Sequence, residues 1–249
     1  MDMTKMEYAQ AIATACGGDV RTKQVTNDIE KVGVSIGNGD IVPCIWIDEM
    51  YERKMSIVEA SEIVANSCKA APPPNFRPLL EYENIKDKLT LCLCNKKMVT
   101  SVYRSAGEFG FDDLILVPYV DIDNEHMARV TREVIEYWGV TEQIIFDTAW
   151  NNMKEDDYMV VFCSDKSMLS ITNKSQWRGA VGVIVLRDML KQKFPNGYYV
   201  LPISTDKVAV SDSSKEPIDM VNMAVKVTTA NVHPEKMLST HAYEIKGGD

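Results

Sequence analysis

An α+β fold built mainly from antiparallel sheet, with packed helices and room for two lobes, is what this sequence predicts. Three features carry that expectation. Short alternating apolar runs recur and are joined by tight-turn signals. Amphipathic helical segments fall between them without strict β-α-β alternation. A proline-rich stretch, Ala70 to Pro78, interrupts the chain.

Thr4 to Cys16 places Met6, Ala9, Ile12, Ala13 and Cys16 on one helical side, and Gly17-Gly18 stops the helix. Val20 to Val25 and Lys31 to Ile36 then alternate as strands, the second with Val32, Val34 and Ile36 inward. Gly37-Asn38-Gly39-Asp40 reads as a tight turn, because glycine and asparagine accept positive φ at little cost. It leads into a strand from Ile41 to Ile47, which Pro43 assigns to a sheet edge or to the strand's start. Ser56 caps a helix over Ile57 to Cys68. Glu59 completes a capping box, and Ile57, Ala60, Val64 and Cys68 form the stripe with Ile63 beside it. No helix continues through the prolines. Residues 1–71 therefore form one region, 72–80 a stiff connector and 81–249 a second region, free to pack with the first as one unit.

Tyr82 to Lys88 reads as helix, followed by the apolar run Leu89 to Cys94. Leu114 to Val120 fits a buried strand or a short core helix, which periodicity does not separate. Met127 to Thr131 looks extended, and Glu133 to Trp138 is a short helix ended by Gly139. Thr141 caps a helix to about Asn152 with Ile144, Ile145, Thr148 and Ala149 inward. Tyr158 to Cys163 and Met168 to Ile171 pair around a turn at Ser164-Asp165-Lys166. Leu186 to Phe194 is a helix after the small, apolar stretch Gly179 to Val183. Tyr198 to Ile203 and Val208 to Val210 form a hairpin about Thr205-Asp206. Glu216-Pro217 opens a helix to about Ala230, with Met220, Met223, Ala224 and Val227 as its expected buried face. His241 to Ile245 is a last short strand.

The chain has 249 residues, 45% hydrophobic and 25% charged, enough to bury a sizeable core and inconsistent with wholesale disorder. No window approaches the roughly 20 apolar residues of a membrane span. Asp2 and Glu7 stand where a secretory leader would carry positive charge, so a cytoplasmic setting is expected. The net charge of −9 opposes a broad nucleic-acid-binding face. In such a compartment the six cysteines, Cys16, Cys44, Cys68, Cys92, Cys94 and Cys163, read as reduced packing residues.

Catalytic templates find little to match. There is no GxSxG elbow, no HExxH pair and no phosphate-binding glycine loop. Cys92-Leu93-Cys94 sends two thiols to one strand face, but no second ligand pair accompanies them, and His126, His233 and His241 are scattered. The acids Asp121 to Glu125 lack the glycine and distal glutamate of a calcium loop. No metal and no cofactor is expected. Trp177 stands apart from the other aromatics: it lies in a polar stretch, where Lys174 and Arg178 could join it in a small contact patch.

Ile41 to Asp48, Tyr51-Glu52 and Ile57 to Glu62 together resemble a block of an uncharacterised family, a domain of unknown function from clostridial Firmicutes. Val134 to Thr141 is similar to that family's helix–turn–helix junction, and Met168 to Lys174, leading into Gly179-Ala180, to its strand–turn segment. Tyr199 to Ser204, Val232 to Ser239 and His241 to Tyr243 resemble its C-terminal signature. The resemblance implies a cytosolic bacterial protein, sometimes encoded near mobile elements, with no established activity and hence no catalytic residue to carry over. The Pro72 to Pro74 run departs from the family pattern. So does Thr240, where the family tends to have an acid.

The function expected is therefore a non-enzymatic intracellular module that binds a protein partner and not a membrane, with Trp177, Arg178, Lys174, His241 and Tyr243 as its binding residues. The alternative is a hydrolase assembled from Cys163, His241 and the Asp121 to Glu125 acids. A further alternative, nucleic-acid binding through Trp177, Arg178, Lys174, Lys191 and Lys193, runs against the net charge.

Overall fold

In the computed structural model, residues 3–26, 29–37, 44–70, 81–98, 100–122, 127–163, 167–174 and 178–247 are described. The expected connector, 72–80, lies outside them, as do the turn residues 38–40 and 164–166 and the strand start at Ile41 to Pro43. The chain divides into two compact units, Met1–Pro78 and Leu79–Asp249. Sheet and helix are mixed as expected for α+β, and every described strand pairing is antiparallel.

The first unit opens with α1 (Lys5–Cys16), whose capping box closes because Thr4 accepts from the Glu7 N–H and the Glu7 carboxylate accepts from the Thr4 N–H. Strands β1 (Asp19–Thr26), β2 (Ile29–Ser35) and β3 (Cys44–Trp46) follow in that spatial order. A short helix, α2 (Asp48–Glu52), was not foreseen. The last helix is α3 (Ile57–Ala70), whose start Ser56 caps through the Glu59 N–H. Tyr8, Ala9, Ile12 and Ala13 of α1 pack with Ala60 and Val64 of α3 over Val32 and Val34. Met6 and Ile63, both placed at the apolar side by sequence, are exposed, and Tyr8 takes the core position.

The second unit holds two sheets. Helix α4 (Tyr82–Ile85) and a 3-10 turn (Lys86–Lys88) lead into β4 (Leu89–Asn95). Then come β5 (Arg104–Ala106), β6 (Phe111–Asp121) and β7 (Met127–Arg129). The ambiguous run at Leu114 to Val120 is thus strand. β6 is the spine of the first sheet, with β4 on one side and β5 and β7 on the other. Helices α5 (Arg132–Trp138) and α6 (Glu142–Asn152) come next. Gly139 ends α5 in the left-handed region, φ 66°, where glycine carries no Cβ penalty. α6 buries Ile145, Phe146 and Ala149 and leaves Ile144 exposed, one residue out of phase with the expected face.

The second sheet is built from β8 (Tyr158–Phe162), β9 (Met168–Asn173), β10 (Gly197–Ser204), β11 (Lys207–Asp212) and β12 (Tyr243–Lys246). Their spatial order is β12-β10-β11-β9-β8, which leaves β8 at an edge. Helices α7 (Gly182–Val185) and α8 (Arg187–Lys193) lie between β9 and β10, and α9 (Ile218–Thr229) between β11 and β12. One face of this sheet, through Leu169, Ile171, Val200, Val208 and Val210, joins the main core with Leu91, Leu93, Phe146 and Ile184. The 3-10 turn before α7 seats against the strands so closely that a Cβ on Gly179 would lie 2.2 Å from the Asp206 carbonyl oxygen.

The opposite face of the second sheet carries the largest departure from expectation. α9 buries Val221, Val225 and Thr229 against Tyr199, Leu201 and Ala209, whereas Met220, Met223, Ala224 and Val227, the predicted core stripe, face outward. Both stripes have helical spacing, so periodicity did not choose between them. The β-branched Val221 and Val225 took the sheet.

Candidate functional site

In the second unit, two polar clusters and one apolar face stand out. The first cluster gathers on β6. The Asp113 carboxylate accepts from Ser239 Oγ at 3.2 Å and from the Tyr243 hydroxyl. Ser239 Oγ lies 3.0 Å from His241 Nδ1, and it also faces the His241 backbone N–H at 3.5 Å. The His241 and Tyr243 rings are 4.8 Å apart, and Tyr243 meets Phe111 edge-on. Alternate residues of the segment entering β12 thus project to one side, and the first residues of β6 supply the acid. Upstream, Asn95 holds the Leu238 carbonyl and completes the tie.

A hydroxyl, an imidazole and a carboxylate meeting at one point invite comparison with a catalytic triad, but the hydrogen bonds run in a different order. A carboxylate only accepts, so Ser239 must donate to Asp113, and the remaining Ser239 lone pairs receive His241 Nδ1–H and the backbone N–H. The imidazole is therefore a donor to the hydroxyl and not its base. Ser239 is 4% exposed, and Tyr243 is buried beside it. Burial, and then the bond to Asp113, push the Tyr243 phenol above its ordinary pKa. The arrangement is a clasp that fixes the C-terminal strand to β6.

The second cluster lines a cleft of about 270 Å³. Arg178 donates to Asp121 and lies 3.7 Å from the Met127 sulfur, and its N–H reaches Asn173 at 3.4 Å. Asn152 closes one wall by donating to the Lys86 and Leu89 carbonyls at 2.6 and 2.9 Å. Lys174, Tyr158 and Asp157 also line it, with Asp87, Lys88 and Thr90. Tyr158 is buried there, which raises its pKa against the lowering influence of Arg178. The Arg178 side chain is only 16% exposed and already paired, so it is a wall of the cleft rather than an open contact.

The apolar face is the outward side of the second sheet. α9 covers β10 and part of β11, while β9 and β8 have no helix over them among the described residues. Met168, Met159 and Val161 lie on that uncovered side, Val161 at 63% exposure. Beside them α9 presents Met220 and Met223, with Val227 at 74%. Between helix and strands runs a cleft of about 550 Å³. Its walls are Met168, Leu201, Met220 and Ala224, with Lys215 and Glu216 at the rim and Ser211 among its polar lining.

The expected binding residues therefore separate. Lys174 and Arg178 share the polar cleft, His241 and Tyr243 share the clasp, and Trp177 lies outside the described residues, as do Asp123 to His126. Among the described residues, those of the suggested hydrolytic set have other partners: Asp121 faces Arg178, His241 faces Ser239, and Cys163 stands at the end of β8 beside Ser167 and Met168. Cys92 and Cys94 do share one strand face, packed with Ile115 and Val117. The hydrogen bond to Cys92, and then burial, hold the Cys94 thiol well above its usual pKa. Asp113 and Ser239 were missed, although the alternation Ser239-x-His241-x-Tyr243 leading into a strand already put three polar side chains on one side.

A family model described as a family of unknown function, DUF5688, matches residues 5–164, a stretch that runs from α1 to just beyond β8. No curated protein and no solved structure matches the chain. The segments compared above with a C-terminal signature, from Tyr199 to Tyr243, fall outside the matched stretch.

Proposed function

The chain belongs to DUF5688, a family of unknown function that transfers no activity, and from its geometry we propose a non-enzymatic module that docks a partner protein's amphipathic helix on the second unit. The observation that carries this reading is the half-covered sheet. Two uncovered strands span about 10 Å, the diameter of one helix. The exposed side chains that border them are mostly methionine, whose unbranched, polarizable chain adapts to helical partners. Ser170 and Thr172 of β9 lie opposite Val161 and Met159 and interrupt the apolar surface, and an exposed apolar patch rimmed by polar residues marks an interaction site. Lys215 and Glu216 at the rim give the partner's polar side opposite charges to meet. The cytosolic bacterial setting implied by the sequence resemblance belongs to the same proposal.

The test is capture from the native host with the wild-type chain beside Met223→Glu and Val227→Lys, which change only exposed positions. A partner retained by wild type and lost by both variants is expected. No reproducible partner, or one retained equally by the variants, would refute the reading. The enzymatic alternative draws on the approach of Ser239 to His241. Labelling of Ser239 by a fluorophosphonate probe in the folded chain would favour it over the clasp.

A further inference from the structure

We propose that the uncovered strand β8 is a self-pairing edge, and that two copies of this chain join through it into one continuous antiparallel sheet. The proposal rests on the helix-docking reading, because it enlarges the same trough, but its evidence is separate.

The hydrogen-bond phase of β8 is fixed by its neighbour. Cys163 N–H bonds the Met168 carbonyl, and Lys174 N–H bonds the Asp157 carbonyl, so residues 159, 161 and 163 and the Asp157 carbonyl turn their backbone groups to β9, while the Asp157 N–H bonds the Lys154 carbonyl. The N–H and C=O groups of Val160 and Phe162 and the C=O of Tyr158 consequently point away from the sheet, and no described strand meets them, while the Tyr158 N–H bonds the Glu155 carbonyl of the preceding 3-10 turn. Within the strand the usual protections are few, although Lys193 lies over the Phe162 ring at 5.3 Å. Tyr158–Phe162 contains no charge and no proline, and its register with β9 runs without a bulge.

A second copy fits this edge better than an unrelated strand for two reasons. The first is register. Around a two-fold axis at Val160, Val160 pairs with its own counterpart, and Tyr158 pairs with Phe162 of the other copy. Val160 then exchanges both its bonds with its counterpart, and the Phe162 N–H of each copy meets the Tyr158 carbonyl of the other. The same register sets Met159 opposite Val161 in a non-hydrogen-bonded pair, where side chains approach most closely, and both are exposed in the single chain. The second reason is charge. Neither Tyr158–Phe162 nor Met168–Asn173 holds a charged residue, and the antiparallel register sets the Glu155–Asp157 acids of the two copies at opposite ends of the seam. The joined sheet would leave four uncovered strands between two α9 helices. That trough is about 19 Å wide and accommodates two helices side by side.

The test is the mass of the full chain by light scattering from about 1 to 100 µM. Wild type is expected to reach twice the chain mass within this range. Val161→Lys and Met159→Lys, both at exposed positions, are expected to weaken association at least about tenfold, and Val227→Lys on α9 to leave it unchanged. Mixing Met159→Cys with Val161→Cys chains should give a cross-linked pair that neither forms alone. A chain that stays monomeric throughout, a dimer indifferent to both lysine variants, or a dimer broken by Val227→Lys would each overturn the proposal. A chain that stays monomeric yet captures a partner and loses it with Met223→Glu would overturn self-pairing alone, which keeps the two readings distinguishable.

Discussion

Tyr243→Phe removes one oxygen from the clasp and nothing from the core, since the ring that packs edge-on against Phe111 at 5.0 Å remains. What is lost is a donor to the Asp113 carboxylate. A hydrogen bond to a charged group contributes about 1.5–3 kcal/mol. Asp113 is only half-buried and keeps Ser239 at 3.2 Å, so water can replace part of the loss and about 1–2 kcal/mol is expected. For a unit of this size that lowers the melting temperature by about 2–8 °C. Urea unfolding, with separate transitions fitted for the two units, measures it. The pH dependence gives a second check. The folded chain holds the Tyr243 proton above the ordinary value of 10.0, at which the unfolded chain releases it. The stabilisation is therefore whole below that pH and declines as pH rises through and beyond it. The gap between wild type and variant should narrow between pH 9 and 11. A loss below about 0.3 kcal/mol, or a gap that widens with pH, would refute the clasp.

Three further outcomes follow from the packing. Ile145→Ala should cost about 2–5 kcal/mol and Ile144→Ala less than about 0.5, since α6 buries the first and exposes the second; chemical denaturation separates them. Arg178→Met strands Asp121 in the polar cleft and should cost about 1–3 kcal/mol, between the values for surface and buried pairs, while Asp121→Asn, which keeps an acceptor, should cost less. Cys92 and Cys94 should resist a thiol reagent in the folded chain and react only on unfolding, as mass spectrometry of the labelled peptides would show.

Much of the architecture was legible where local chemistry decides it. Ser56 and Thr141 each announced a helix start and each caps one, and Thr4, the first residue of the segment read as helix, caps α1. The turn at Thr205-Asp206 joins β10 to β11 where the sequence put it. Reading failed where tertiary structure chooses between equal local options. α9 has two apolar stripes, and only the sheet beneath it determines which is buried. The clasp was hidden for a different reason. Ser239 and Asp113 are 126 residues apart, and no periodicity spans that distance. His241 and Tyr243 were singled out, but without the acid that organises them. The exposed apolar face was likewise concealed, because Met220 and Met223 read as core.

The close seating of the turn before α7 reaches beyond this one molecule. A Cβ on Gly179 would meet the Asp206 carbonyl and Thr172 Cα, and one on Gly182 would lie 2.5 Å from the Tyr158 ring. Rigid backbone and a buried aromatic leave neither position room to adapt. Any sequence that adopts this arrangement should therefore keep glycine at two sites three residues apart, just downstream of β9. That spacing offers a fingerprint for tracing distant kin by shape, independent of whatever those kin have come to bind.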